Sequence, residues 1–150
     1  MPNYAVGVAD VAAGIDTQTL INLFSTAAGG RGYIYDILVS SGDTPTDAAN
    51  NFEVQRTTVV GAATGVIPVG LDPDQQASTL DGDVDHSTEP TETAATLMLA
   101  FSLNKRATFR WVAAPGGELV IPATTANGIN IARRTSTTAY ILDCTFHFRE

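Results

Sequence analysis

From Tyr140 to Phe148 the chain reads YILDCTFHF, with a large apolar side chain or Cys144 at every second position. Successive residues of a strand point to opposite faces of a sheet. The spacing therefore puts Tyr140, Leu142, Cys144, Phe146 and Phe148 on one face, and Ile141, Asp143, Thr145 and His147 on the other. A helix of the same sequence would scatter the aromatics around its circumference instead of gathering them in a stripe. The segment is predicted to be a one-sided strand, so its apolar face needs a second layer to cover it.

The same period recurs upstream. GYIYDILVS predicts Tyr33, Tyr35, Ile37 and Val39 on one face. NFEVQRTTVV sets Phe52 and Val54 against Glu53 and Gln55, and ATLMLAFSL groups Leu97, Leu99, Phe101 and Leu103. RATFRWVA turns Ala107, Phe109 and Trp111 inward and leaves Thr108 and Arg110 outward. TLINLFST, ELVIP, GINIA and YAVGVADV read as further short strands, separated by the turn signals GGRG, SGDTPTD, NK, PGG and ANG. Roughly eight or nine short strands with this punctuation predict a sandwich or jelly roll. The expected architecture is an all-β, jelly-roll-like β-sandwich with a long acidic loop, in a single domain. One helical exception is expected in LDPDQQASTL, where Asp72 suits a cap and Pro73 a first helical position.

The organisation read from the chain is an N-terminal segment or arm over residues 1–16 and a β-sandwich domain over 17–150. The opening MPNYAVGVADVAAG is small-residued and apolar. It suits either the first strand of its own sheet or an arm that adds a strand to a neighbouring subunit. Tyr4, Val6 and Val8 are therefore interface candidates, together with the outward-facing Arg110 and His147.

Composition narrows the partners. The chain has 150 residues, of which 44% are hydrophobic and 16% charged, enough to bury a core and too apolar for a disordered chain. A net charge of −8, with the eight Lys and Arg dispersed, repels phosphate backbones, so no nucleic acid is expected. No run approaches the ~20 apolar residues of a membrane helix, and no membrane partner is expected. Cys144 is the one cysteine, which excludes an intrachain disulfide. Together with an opening that lacks a basic run before an apolar one, this reads as a chain made and folded in a reducing cytoplasm.

Candidate sites are few. DGDVDHSTEPTE, from Asp81 to Glu92, places Asp81, Asp83, Asp85, Glu89 and Glu92 near the ligand positions of a calcium loop. His86 stands where that loop needs its glycine, Pro90 interrupts it, and no helices flank it. The stretch reads better as a solvated acidic loop within the irregular region from Leu71 to Pro90, and no metal is assigned. Pro115-Gly116-Gly117 leads into a strand, where a phosphate cradle would lead into a helix, so it reads as a tight antiparallel connection. His86 and His147 have no nucleophile in a recognisable setting. Cys144 reads as a buried thiol acting as a small hydrophobe, and Trp111, sharing a face with Phe109, as core. No catalytic residue and no cofactor is assigned.

The run LNKRATFRWVAAPGGELVIPATTANGINIARR…TAYILDCTFHFRE resembles the C-terminal half of small β-rich structural proteins of tailed bacteriophages. It is most similar to decoration, or cement, proteins of the outer capsid surface. The likeness spans roughly Ile67 to Glu150 and departs at Lys105, where glutamine would fit it better. The resemblance implies a jelly-roll-like sandwich and a mechanical, non-enzymatic role. It implies trimers at capsid threefold positions, contact with a major capsid protein, and a virion location after assembly in the host cytoplasm. The alternative is a receptor- or carbohydrate-binding tip module of a tail fibre on the same fold. A tip should present exposed aromatics in a loop cleft, and the stretch from Leu71 to Pro90 has none.

Overall fold

A computed structural model describes residues 1–14, 16–26, 29–136 and 138–150; Ile15, at the end of the expected arm, lies outside them. The described residues form thirteen strands in two antiparallel sheets. In chain order they are β1 (Asn3–Ala13), β2 (Gln18–Ser25), β3 (Gly32–Ser41), β4 (Ala49–Val59), β5 (Ala62–Val66), β6 (Val69–Gly70) and β7 (Leu80–Thr88). There follow β8 (Thr91–Glu92), β9 (Leu99–Asn104), β10 (Phe109–Val112), β11 (Leu119–Ile121), β12 (Gly128–Arg133) and β13 (Tyr140–Arg149). No helix of the described residues is long and apolar enough to cross a membrane.

Eight of these strands pair in nested order. The first pairs with the last, β1 with β13, and β2 pairs with β12. Inside those, β3 pairs with β10 and β4 with β9. A long antiparallel hairpin rolled up on itself gives this nesting. The roll brings β13 beside β3 as well, and β12 beside β4. One sheet thus runs β10-β3-β13-β1 and the other β9-β4-β12-β2, which is a jelly roll of two Greek keys.

Between β4 and β9 the chain inserts β5 to β8. β7 adds to the edge of β2, β5 adds to β7, and β6 adds to β1 on the other sheet. The insertion thus ties the two sheets along one edge. Gly82 on β7 allows this closure, because a Cβ there would stand 2.6 Å from Val6 Cγ2. Gly61 turns the chain from β4 into β5 at φ +79°, where a Cβ would meet the Thr88 carbonyl oxygen at 2.2 Å.

β13 follows the alternation expected of it: Tyr140, Leu142, Cys144, Phe146 and Phe148 are buried, and the residues between them are half-buried. Tyr4 stacks on Phe148 at 5.4 Å across the β1–β13 ladder. On the other side of the core Phe52, Phe101 and Phe109 stack in series, at 5.3 and 3.8 Å. Phe101 belongs to one sheet and Phe109 to the other, so this stack joins the layers.

Three expectations are corrected. Tyr33 and Tyr35 do not share the face of Ile37 and Val39; Ile34 takes the core position and both tyrosines are half-buried. The cause is a bulge: His147 pairs with Asp36 and Phe148 with Ile34, leaving Tyr35 as the extra residue that flips the pleat. Residues 71–79 form no helix; Asp72 Oδ1 accepts from Asp74 N at 3.0 Å and closes a single turn. The acidic loop is largely a strand. In β7, Leu80, Gly82 and Val84 are buried, while Asp81 is exposed and Asp83 half-buried. The alternation was hidden because a glycine stands where the middle apolar residue should be.

Phe146→Ala should lower the unfolding free energy by about 3–5 kcal/mol, from lost burial and the cavity left behind. His147→Ala, one residue along on the opposite face, should cost less than about 1 kcal/mol. Urea unfolding of the two variants tests the register, and equal losses would contradict a one-sided strand.

Candidate functional site

The outer face of the β10-β3-β13-β1 sheet carries a cluster of charged side chains set by the strand pairing. The bulge at Tyr35 turns Asp36 outward into this face, although neighbours keep it buried. Arg110 reaches across from β10 and forks onto it, Nε to Oδ1 at 2.9 Å and Nη2 to Oδ2 at 2.8 Å. From β13, His147 Nδ1 lies 3.1 Å from Asp36 Oδ2, and its ring stacks on Tyr35 at 6.3 Å between centroids. Farther along, Arg149 bonds Glu118 at 2.6 Å and lies over the Tyr33 ring at 5.8 Å.

The Arg110 fork, with His147 beside it, holds the Asp36 carboxyl below the usual carboxylate range, against the opposing effect of burial. Burial and then the Asp36 charge push the Tyr35 hydroxyl up. Chemically the cluster is a saturated ion pair. Both Asp36 oxygens are engaged, and among the described residues no Ser, Thr or Cys hydrogen-bonds His147. The contacts tie β3, β10 and β13 together across the outer face. Cys144 faces the opposite way, fully buried, and burial pushes its thiol far above the ordinary range. A thiol held protonated in this way is unreactive.

Of the interface candidates, the structure brings only Arg110 and His147 together. Tyr4 and Val6 are buried in the core of this chain, because β1 lies between β13 and β6 with those side chains turned to the opposite sheet. Val8 is half-buried and packs against the same core. The acidic candidates are dispersed. Asp81 and Asp83 lie along the extended β7, and Asp85 has φ 51°. Glu89 accepts the Thr19 backbone N–H at 2.8 Å. Glu92 accepts from Asn130 at 2.9 Å and pairs with Arg134 at 3.1 Å. Glu89 and Glu92 satisfy polar groups on the outer side of the second sheet, where Thr19, Asn22 and Asn130 are fully buried. No group of three or more His, Cys, Asp or Glu among the described residues is placed to hold a metal ion.

Sequence reasoning missed Asp36, the centre of the cluster. The available signal was a lone carboxylate inside the apolar run YIYDILV, which demands a cation partner if it is buried.

No family model and no curated protein matches the chain. Among solved structures it is similar to the decameric BFDV capsid protein, at 12% identity over 99% of both chains, with a TM-score of 0.19. It is also similar to the VP2 protein of infectious bursal disease virus in T=1 particles. A D431N mutant of VP2 aligns at 10% identity over 98% of this chain and 37% of that one, with a TM-score of 0.15. A second T=1 particle of the same virus gives 11% identity, 97% and 37% coverage, and a TM-score of 0.16. TM-scores this low do not establish a shared fold, and the fold assignment rests on the strand order.

Because the Asp36 carboxyl is held low in the folded chain, it stabilises the fold above the unfolded carboxyl value, about pH 4. That stability drains away as pH falls through the lower folded value. Urea midpoints between pH 5 and pH 2 should therefore fall less steeply for Asp36→Asn than for the parent chain. Glu92→Ala should cost about 1–3 kcal/mol at neutral pH, because it strips a partner from buried Asn130; urea unfolding at pH 7 measures it.

Proposed function

We propose that the chain is a viral structural protein, a decoration or cement protein that binds and stabilises the outer surface of a tailed-phage capsid. The observation that carries this reading is the placement of the aromatics. All four Tyr, all six Phe and the Trp lie on strands, each buried or half-buried. The sandwich therefore spends its aromatics on holding two layers together and presents no stacking platform at a loop tip. A carbohydrate-binding tip needs such a platform, so the mechanical reading is favoured over the tail-fibre alternative.

Two surfaces suit lateral contacts. One is the band of Arg110, Asp36, His147 and Tyr35 described above. Its Arg110 side chain is 62% exposed although both Asp36 oxygens are already bonded, which leaves guanidinium donors for a neighbour. The other is the corner where the insertion passes between the sheets. Ile67, Val69 and Leu71 there expose 77%, 66% and 53% of their surface, an apolar strip of the sort that association covers. A second copy of the chain fits this strip and a cyclic homotrimer is the assembly proposed, with the major capsid protein as the further partner.

Light scattering on the eluting peak at tens of micromolar should give three times the 15.7 kDa of one chain. Val69→Asp should shift that peak toward the monomer with little change in the far-ultraviolet β signal. A monomeric parent chain at that concentration, or saturable binding to an immobilised glycan panel, would overturn the reading in favour of a recognition module.

A further inference from the structure

At one end of the roll lie residues 42–48 and 105–108, with Asp16 and Thr138 beside them. Cross-links between them place them together. Arg106 Nε donates to the Pro45 carbonyl at 3.0 Å, Asn104 Nδ2 to Asp47 at 2.5 Å, and the Thr46 and Thr138 hydroxyls are 3.4 Å apart. Beneath these loops two cations are buried, Lys105 at 1% exposure and Arg133 at 0%.

Neither cation has a carboxylate partner among the described residues, and Ile15, Ala27, Ala28 and Thr137 bring none. Lys105 Nζ donates to the Thr138 carbonyl at 3.1 Å and to the Thr138 hydroxyl, and sits 4.7 Å from the Tyr140 ring centroid. Arg133 donates Nη1 to the Arg134 carbonyl at 3.1 Å and Nη2 to the Asp16 carbonyl. Its buried Nε has no partner, while the buried Tyr140 hydroxyl and Asn50 side chain have only each other. Asp16 and Glu89 act on Arg133 only through longer-range attraction; burial lowers the Lys105 ammonium, and repulsion from Arg133 lowers it further.

Buried charge is ordinarily paired, and buried donors are ordinarily bonded. Here two cations, one of them with a spare guanidinium N–H, meet with only backbone carbonyls, one hydroxyl and one ring to answer them. What is missing is negative charge carrying several acceptor oxygens. Access exists beside Tyr140, which lines two surface hollows of about 110 and 290 Å³ between the 42–48 loop, β1 and the start of β13. The smaller, which Asp43 also lines, exceeds several-fold the roughly 30 Å³ that one water occupies in the liquid, so a small oxyanion has room to approach Tyr140.

We propose that this end of the roll is a binding site for a small oxyanion of the phosphate or carboxylate class. Arg133 Nε, Lys105 Nζ, the Tyr140 hydroxyl and Asn50 Nδ2 supply its donors. The bound anion neutralises the two cations. This site is on a different surface from the Arg110 cluster and does not depend on the assembly proposed above.

The test uses the full chain, with phosphate and acetate as probes and sodium chloride at equal ionic strength as the reference. The parent chain should unfold at a higher temperature in phosphate or acetate, with the shift growing with the logarithm of concentration. Phosphate also stabilises proteins by exclusion from their surface, so the variants decide. Tyr140→Phe should weaken the anion-dependent shift by about tenfold in apparent affinity. Lys105→Met should abolish it, yet unfold in chloride no lower than the parent, since it removes an unpaired buried charge. Equal midpoints in all three salts, or the same phosphate shift in the parent, Tyr140→Phe and Lys105→Met, would overturn the proposal.

Discussion

The ladder between β1 and β13 is the constraint on which the rest of the roll depends. It joins Asn3 to Arg149 and runs to Ala13 and Tyr140, and it sets β13 in the middle of its sheet with β3 on the other side. Once those two strands are paired, β2 and β12 are brought opposite each other, and then the inner pairs. The apolar faces of all eight strands end on the same interior. Tyr4 on Phe148 and the Phe52–Phe101–Phe109 series then fill the space that in a wider roll would remain a cavity. The interior serves packing, which leaves chemistry to the outer faces and the loop ends.

The two outer faces are handled differently. One sheet is covered by its own insertion: Glu89 and Glu92 reach over β2 and β12, so Asn22, Asn130 and Thr57 are buried on what would otherwise be solvent side. The other carries the Arg110–Asp36–His147 band, with the Arg110 side chain reaching solvent. A sandwich covered on one side and open on the other has a direction. That asymmetry comes from where the insertion between β4 and β9 folds.

Much of this was legible in the sequence where period two was unbroken. β13 reads directly, as do Phe52 and Val54 in β4 and Phe101 and Leu103 in β9. It was illegible where the pleat changes phase. The bulge at Tyr35 moves the core set from Tyr33 to Ile34, and no residue type at that point signals it. In β7 the acidic residues that suggested a calcium loop are the outward half of an alternation whose inward half includes Gly82. Asp36, Lys105 and Arg133 were missed for a common reason: each is a charged residue whose burial is created by chain segments distant in sequence. Lys105 was noted only as a departure from the phage-protein pattern, and its place beneath the loops is a tertiary property.

The nesting of the strands also governs how the chain acquires its structure. In each pair of the roll the partners lie farther apart in sequence the nearer they are to the termini, and the outermost pair spans nearly the whole polypeptide. Closing so long a loop costs entropy before any contact repays it, so such topologies fold slowly. During synthesis β1 and β3 must wait with one edge each unsatisfied until β13 has left the ribosome. Their apolar faces are meanwhile exposed to every other nascent copy. The charge of −8 provides mutual repulsion among copies during that interval. Negative charge thus keeps the unpaired strands of separate copies apart until β13 closes the roll.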